Sequence, residues 1–145
     1  TDIDSFAAAN GKLVPISPQN AQYTVIQEYN ETAKHPIELT EAESFKNSDA
    51  YAWVLEGRYD AYFDIKLSFE NAVLKEDGPY HQYADQLTWF PYKGIQTYPL
   101  LHKSDQNAAF AEEYNAAIQE LQADGTIAKL SEEYFGEDVF SYVTD

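Results

Sequence analysis

AAFAEEYNAAIQELQADGTIAKLSEEYFGED, residues 108–138, reads as two amphipathic helices with a sharp joint between them. Phe110, Tyr114, Ala117, Ile118 and Leu121 recur at spacings that bring them to one face of a 3.6-residue helix. Asp124-Gly125 ends that helix, because glycine takes the left-handed conformation just past a helix end at little steric cost. Thr126 is placed to cap a second helix carrying Ile127, Leu130 and Tyr134, which is expected to stop at Gly136.

Upstream of this stretch the chain reads as β–α alternation with short connections. Residues 12–16 read as a strand, followed by a Ser17-Pro18-Gln19-Asn20 turn whose asparagine caps a helix through Tyr23, Val25, Ile26 and Tyr29. A short strand is expected at 36–40, and Ser48-Asp49 cap a helix at 50–55 that stops before Gly57. Residues 58–63 read as a third strand, 66–74 as a third helix and 86–90 as a fourth strand. Residues 96–102 read as a strand feeding the terminal helices, with Pro99 marking an edge or an irregularity. This order predicts an α/β fold, a mostly parallel sheet flanked by helices.

Composition narrows the function. The chain has 145 residues, enough for one ordinary core, and its 25 Asp and Glu against 9 Lys and Arg give a net charge of −16. Such an acidic globule repels nucleic acid and anionic membranes. There is no cysteine, so disulfides and thiolate metal sites are ruled out, and an oxidising compartment is permitted. No methionine is present and the chain begins at Thr1, so it is expected to be processed or cut from something longer. No apolar run reaches the ~18 residues a spanning helix needs. His35, His81 and His102 are scattered without metal-ligand spacing, and no Gly-x-Ser-x-Gly, HExxH or nucleotide loop appears. Glu112-Glu113 and Glu132-Glu133 read as solvated helix faces, since neighbours on a helix do not face each other. These readings imply no enzyme, no cofactor and no metal.

The words ADGTIAKLSEEYFGED, residues 123–138, closely resemble the C-terminal signature of bacterial extracellular solute-binding protein family 3, the substrate-binding proteins of polar amino-acid ABC transporters. Three further motifs stand in the family's order. They are Gly11-Lys12 leading to the turn Pro18-Gln19-Asn20-Ala21-Gln22, then Glu56-Gly57-Arg58-Tyr59-Asp60-Ala61-Tyr62-Phe63-Asp64, then Leu100-Leu101-His102-Lys103-Ser104-Asp105. The resemblance implies a type II periplasmic-binding-protein-like lobe over 3–96, and a returning strand and helices over 97–145 that normally complete the other lobe. The N-terminal half of that other lobe has no counterpart in this chain. The apolar faces of the terminal helices would then lack their cover, at ~1.5–3 kcal/mol for each large side chain left exposed. They are expected to dock on a partner chain, on a second copy in a dimer or swapped association, or on the 3–96 lobe.

The family role is capture of an amino acid between two lobes for delivery to ABC permease subunits, by a protein in the periplasm or lipid-anchored at the cell surface. In the family an aspartate just after the Gly-Arg-x-Asp-Ala strand binds the ligand's ammonium. The ungapped position here is Ile65, so Asp64, one residue earlier, is the candidate, with a plain capping or solvated carboxylate as the alternative. Lys66 is placed to pair with an acidic ligand group or with Asp64. The turn at Asn20, Ala21 and Gln22 departs from the family's Gly-Thr/Ser-Thr/Ser pattern. It still offers helix N-terminal amides and two side-chain amides to a carboxylate, and simple capping by Asn20 is the bland reading. Arg58, the one arginine, reads as structural, because the family's carboxylate-binding arginine belongs to the segment without a counterpart. Trp89, Phe90 and Tyr92 lie where they can approach a ligand or pack in the core, and Trp53 reads as core. Other members of the fold act as ligand-sensing domains of membrane receptors or as dehydratases, and these stand as alternatives.

Overall fold

A computed structural model describes residues 2–42 and 45–142. It divides into two compact units, Thr1–Tyr92 and Lys93–Asp145.

In the first unit, α1 (Ile3–Ala8) starts at Asp2, whose carboxylate accepts the Ser5 N–H. Nothing in the hydrophobic pattern had announced this helix. The second helix, α2 (Ala21–Thr32), supplies the centre of the larger core. Ile26, 1% exposed, packs with Ala7, Leu13, Ile16, Tyr29 and Ile37. The Tyr29 hydroxyl donates to Asp4 at 2.8 Å, tying α1 to α2, and burial together with that contact pushes the Tyr29 phenol up to about 12.

A smaller core gathers Tyr51 of α3 (Asn47–Leu55), Phe69 of α4 (Lys66–Phe69) and Val73 of the π turn Glu70–Leu74 that continues α4. The Lys46 N–H donates to Asp49 on the first turn of α3. Gly57 ends that helix at φ 70°, with the Gly57 N–H on the Val54 carbonyl and the Arg58 N–H on the Trp53 carbonyl. A 3₁₀ turn, His81–Tyr83, follows.

The expected mostly parallel sheet does not form, and the α/β reading is corrected. Among the described residues, extended pairing is limited to two isolated parallel bridges, Leu13 with Ala61 and Ile16 with Glu41. Segment 12–16 lies between 60–61 and 40–42, with the Val14 N–H on the Ala61 carbonyl and the Ile16 N–H on the Thr40 carbonyl. Its Pro15 has no N–H to continue a ladder. Side chains take other backbone groups that a ladder would need. The Asn30 amide donates to the Ile37 carbonyl and accepts the Ile37 N–H, each at 2.8 Å, and Asp60 accepts the Lys12 N–H at 2.7 Å. The expected strands at 36–40, 58–63, 86–90 and 96–102 are therefore extended or irregular chain, and Pro91 and Pro99 lie in or beside the last two.

The second unit is helical. Ser104 caps α5 (Asp105–Ala123), its hydroxyl accepting the Asn107 N–H. Asp124 ends α5 and accepts the Thr126 N–H at 2.8 Å, which holds the Asp124 carboxyl below the usual carboxylate range. Gly125 at φ 82° then turns the chain into α6 (Thr126–Phe135). Thr126, expected to cap α6, is its first residue instead, and Gly125 holds the cap position. Beyond Gly136, the Ser131 hydroxyl donates to the Glu137 carbonyl and accepts the Val139 N–H, closing a 3₁₀ turn at Val139–Tyr142. Residues 143–145 of the expected returning segment lie outside the described residues.

Gly125→Ala tests the joint, because a Cβ there meets nothing within 4 Å and only the positive φ is penalised. The substitution is expected to cost ~1–2 kcal/mol, read as a lower urea midpoint with unchanged slope. An unchanged midpoint would mean that φ at Gly125 is not what joins the helices.

Candidate functional site

Asp64 stands at the entry to α4, where the chain leaves the extended segment that bridges Leu13. One carboxylate oxygen accepts the Ile65 N–H at 2.7 Å and the other accepts the Tyr51 hydroxyl at 3.1 Å. Ser68, one turn into α4, adds a further hydrogen bond. Partial burial nevertheless outweighs these donors and holds the Asp64 carboxyl above its ordinary value.

The surroundings of Asp64 are aromatic. Tyr51 is buried, its ring edge-on to Tyr62 at 5.8 Å and tilted against Tyr80 at 5.1 Å. The Tyr62 hydroxyl donates to Asn47 at 3.2 Å, and that of Tyr80 donates to the Ser48 carbonyl at 2.8 Å, so both rings are fastened to the start of α3. Burial and the nearby Asp64 charge push the Tyr62 phenol up to about 12 and that of Tyr51 higher still. The result is a half-buried carboxylate held by three donors, the hydroxyl of Tyr51 among them. Such a group attracts an ammonium through charge and hydrogen bonding.

The other expected site residues fall on two helix starts. Lys66 follows Asp64, but its ammonium lies 3.5 Å from Glu70 and 4.8 Å from the centre of the Trp89 ring. Asn20 occupies the cap position of α2, yet its side chain makes no capping bond, and Ala21 and Gln22 open the helix. The first-turn amides of α2 therefore take no side-chain cap, and an anion would satisfy them.

Trp53, expected in the core, is half-buried. It packs on Phe45 and Tyr59, and the Arg58 guanidinium lies over its ring at 5.1 Å. Tyr92 packs edge-on against Tyr29 at 5.9 Å, while Trp89 is exposed beneath Lys66 and Phe90 is half-buried. An open depression of about 500 Å³ lies elsewhere, lined by Gln27, Asn30, Glu31 and Leu39, none of them an expected site residue. Asn30 is already committed to Ile37 there. No group of three or more His, Cys, Asp or Glu arranged to hold a metal occurs among the described residues.

The sequence resembles that of a curated bacterial protein named for amino-acid binding. That relative is the probable amino-acid-binding protein YxeM of Bacillus subtilis strain 168, 27% identical over 143 residues. The match covers 96% of this chain and 49% of the relative, so the chain spans about half the relative's length. No family model matches the chain, and no solved structure matches it.

The raised Asp64 carboxyl has a sign that can be measured. The folded state binds this proton more tightly than the unfolded chain, so Asp64 costs stability as pH rises from about 4 through its folded value. Asp64→Asn removes that cost, and the stability of the variant relative to the parent chain is expected to improve across this window and then level off. Urea titrations at successive pH values give the difference, and a gap independent of pH would show that Asp64 titrates normally. Tyr51→Phe removes a donor to the charged form. It is expected to cost ~1.5–3 kcal/mol at neutral pH and less in acid.

Proposed function

We propose that this chain is part of an amino-acid-binding protein that serves an ABC importer outside the cytoplasm, and that Asp64 holds the ligand's ammonium group. The observation that carries the solute-binding role is similarity along nearly the whole chain to a protein named for amino-acid binding. The Asp64 site supports the finer reading. Its carboxylate accepts donors from Ile65, Tyr51 and Ser68 and keeps acceptor capacity for a further donor.

The uncapped amides of Ala21 and Gln22, with the side chains of Asn20 and Gln22, are proposed to take the ligand's carboxylate. A ligand with a second acidic group would compete with Glu70 for Lys66. The resemblance to solute-binding family 3 further suggests that 3–96 and 97–145 belong to different lobes of a longer parent, whose partners are permease subunits in the membrane.

Calorimetry and chemical-shift titration with the twenty amino acids, on this chain and on its longer parent, test the reading. The parent is expected to bind one ligand class and to lose it on Asp64→Asn. This chain alone is expected to bind no tighter than ~1 mM, near −4 kcal/mol, since it supplies only part of the ligand's contacts. Equal binding by the parent and its Asp64→Asn variant would remove Asp64 from the site. The absence of any amino-acid response in the parent would overturn the function.

A further inference from the structure

The first helix ends on a chemically labile pair. Asn10-Gly11 is the chain's only Asn-Gly step, and packing calls for each of its residues. Asn10 sits at φ 56°, just past the end of α1, in the left-handed region that asparagine tolerates better than most residues with a side chain. Its N–H donates to the Ala7 carbonyl at 3.0 Å and the Gly11 N–H donates to the Phe6 carbonyl at 3.1 Å, the paired closure of a Schellman motif. Gly11 lies against the Phe6 ring, where a Cβ would come within 2.2 Å of a ring carbon. Phe6 packs in turn on the core that holds Ile26 and Tyr29.

The same two residues suit an intramolecular reaction. With no side chain on Gly11, its backbone nitrogen meets little hindrance in attacking the Asn10 side-chain carbonyl carbon. A bond forms between the Gly11 nitrogen and Asn10 Cγ, the Cγ–Nδ2 bond breaks, and the Gly11 amide proton leaves with Nδ2 as ammonia. Water then opens the succinimide at either carbonyl, giving aspartate or isoaspartate. Attack needs rotation about the Asn10 Cα–C bond to bring the Gly11 nitrogen onto Cγ. In the folded chain that rotation would break the Gly11 bond to Phe6 and pull the Lys12 N–H from Asp60, which accepts it at 2.7 Å.

We propose that Asn10 is a latent deamidation site, held inert by the Schellman closure of α1 and released when that end of the helix opens. Neither product restores the closure. Isoaspartate carries the backbone through Cγ, lengthening it by one methylene just before the segment that bridges Ala61 and Glu41. Aspartate places a carboxylate at a helix C-terminus, where the dipole is already negative. The inference rests on α1 and its neighbours and not on the amino-acid reading, so either can fail alone.

Ageing the full chain in mildly alkaline buffer, folded and in urea above its unfolding midpoint, tests this. Peptide mass spectrometry reads amide-to-acid conversion at each asparagine and separates isoaspartate from aspartate. In urea, Asn10 is expected to convert ahead of every other asparagine. In the folded chain its rate is expected to be lower by on the order of tenfold or more, a factor set by how seldom the end of α1 opens. Asp4→Ala deletes the carboxylate that the Tyr29 hydroxyl holds. It should raise the folded rate several-fold and leave the rate in urea unchanged, with circular dichroism confirming that the fold remains. Asn10→Gly keeps the left-handed turn without the side-chain amide, and should show no conversion there and no loss in urea midpoint. Chain isolated after conversion should unfold at lower urea than the parent.

The proposal is overturned if Asn10 converts equally fast folded and unfolded, or if in urea it converts no faster than the other asparagines. A converted chain that keeps the parent's urea midpoint would also overturn it.

Discussion

The side chain of Asn30 gives one hydrogen bond to the backbone of Ile37 and takes another from it, and much of the first unit depends on that clamp. It holds 36–40 against α2, so that Ile37 buries beside Ile26. From there the path runs on to the Thr40 carbonyl, which receives the Ile16 N–H. Val14, two residues back along the same segment, bonds Ala61, and three residues after Ala61 comes Asp64. In a sheet, a ladder of repeated bonds would share this task. Here single bridges and three polar side chains, Asn30, Asp60 and Asp64, satisfy backbone groups that would be costly to bury unpaired. Stability that a ladder would spread over many residues is concentrated at a few.

That same substitution of side chains for ladder bonds explains what the sequence could and could not tell. Helices were legible where local signals act alone, as in the caps and glycines around 105–136 and the apolar spacing of α2. The end of α3 at Gly57 followed from local chemistry as well. The sheet is not separable from irregular chain in the sequence, because an extended, β-branched segment looks the same whether its N–H groups meet a neighbouring strand or an asparagine amide. Nothing local distinguishes Ile37 bonded to Asn30 from Ile37 in a strand. The short helix α1 escaped because six residues carry too little periodicity to be seen.

The candidate site was legible in one residue and invisible in its setting. Asp64 was singled out by its place after Gly-Arg-x-Asp-Ala, a matter of order along the chain. Tyr51, which donates to that carboxylate, and Tyr62 and Tyr80, which pack on Tyr51, are three among 12 tyrosines, and only the fold selects them. Asn47, which fastens Tyr62, lies 15 residues away and gave no signal. Lys66 follows Asp64 in the chain, but its partners are Glu70, one helical turn on, and Trp89, a loop residue no spacing rule connects to it.

The π turn at Glu70–Leu74 bears on how such a site can vary. A π turn is an α-helix that has taken in an additional residue without losing its place in the core. Between the buried Phe69 and the fully buried Val73, then, one residue can be held as a bulge or removed while both ends stay anchored. A single-residue insertion or deletion is therefore expected to be better tolerated between 70 and 72 than between 12 and 16, where Lys12 and Val14 bond to 60–61 and Ile16 bonds to 40–42.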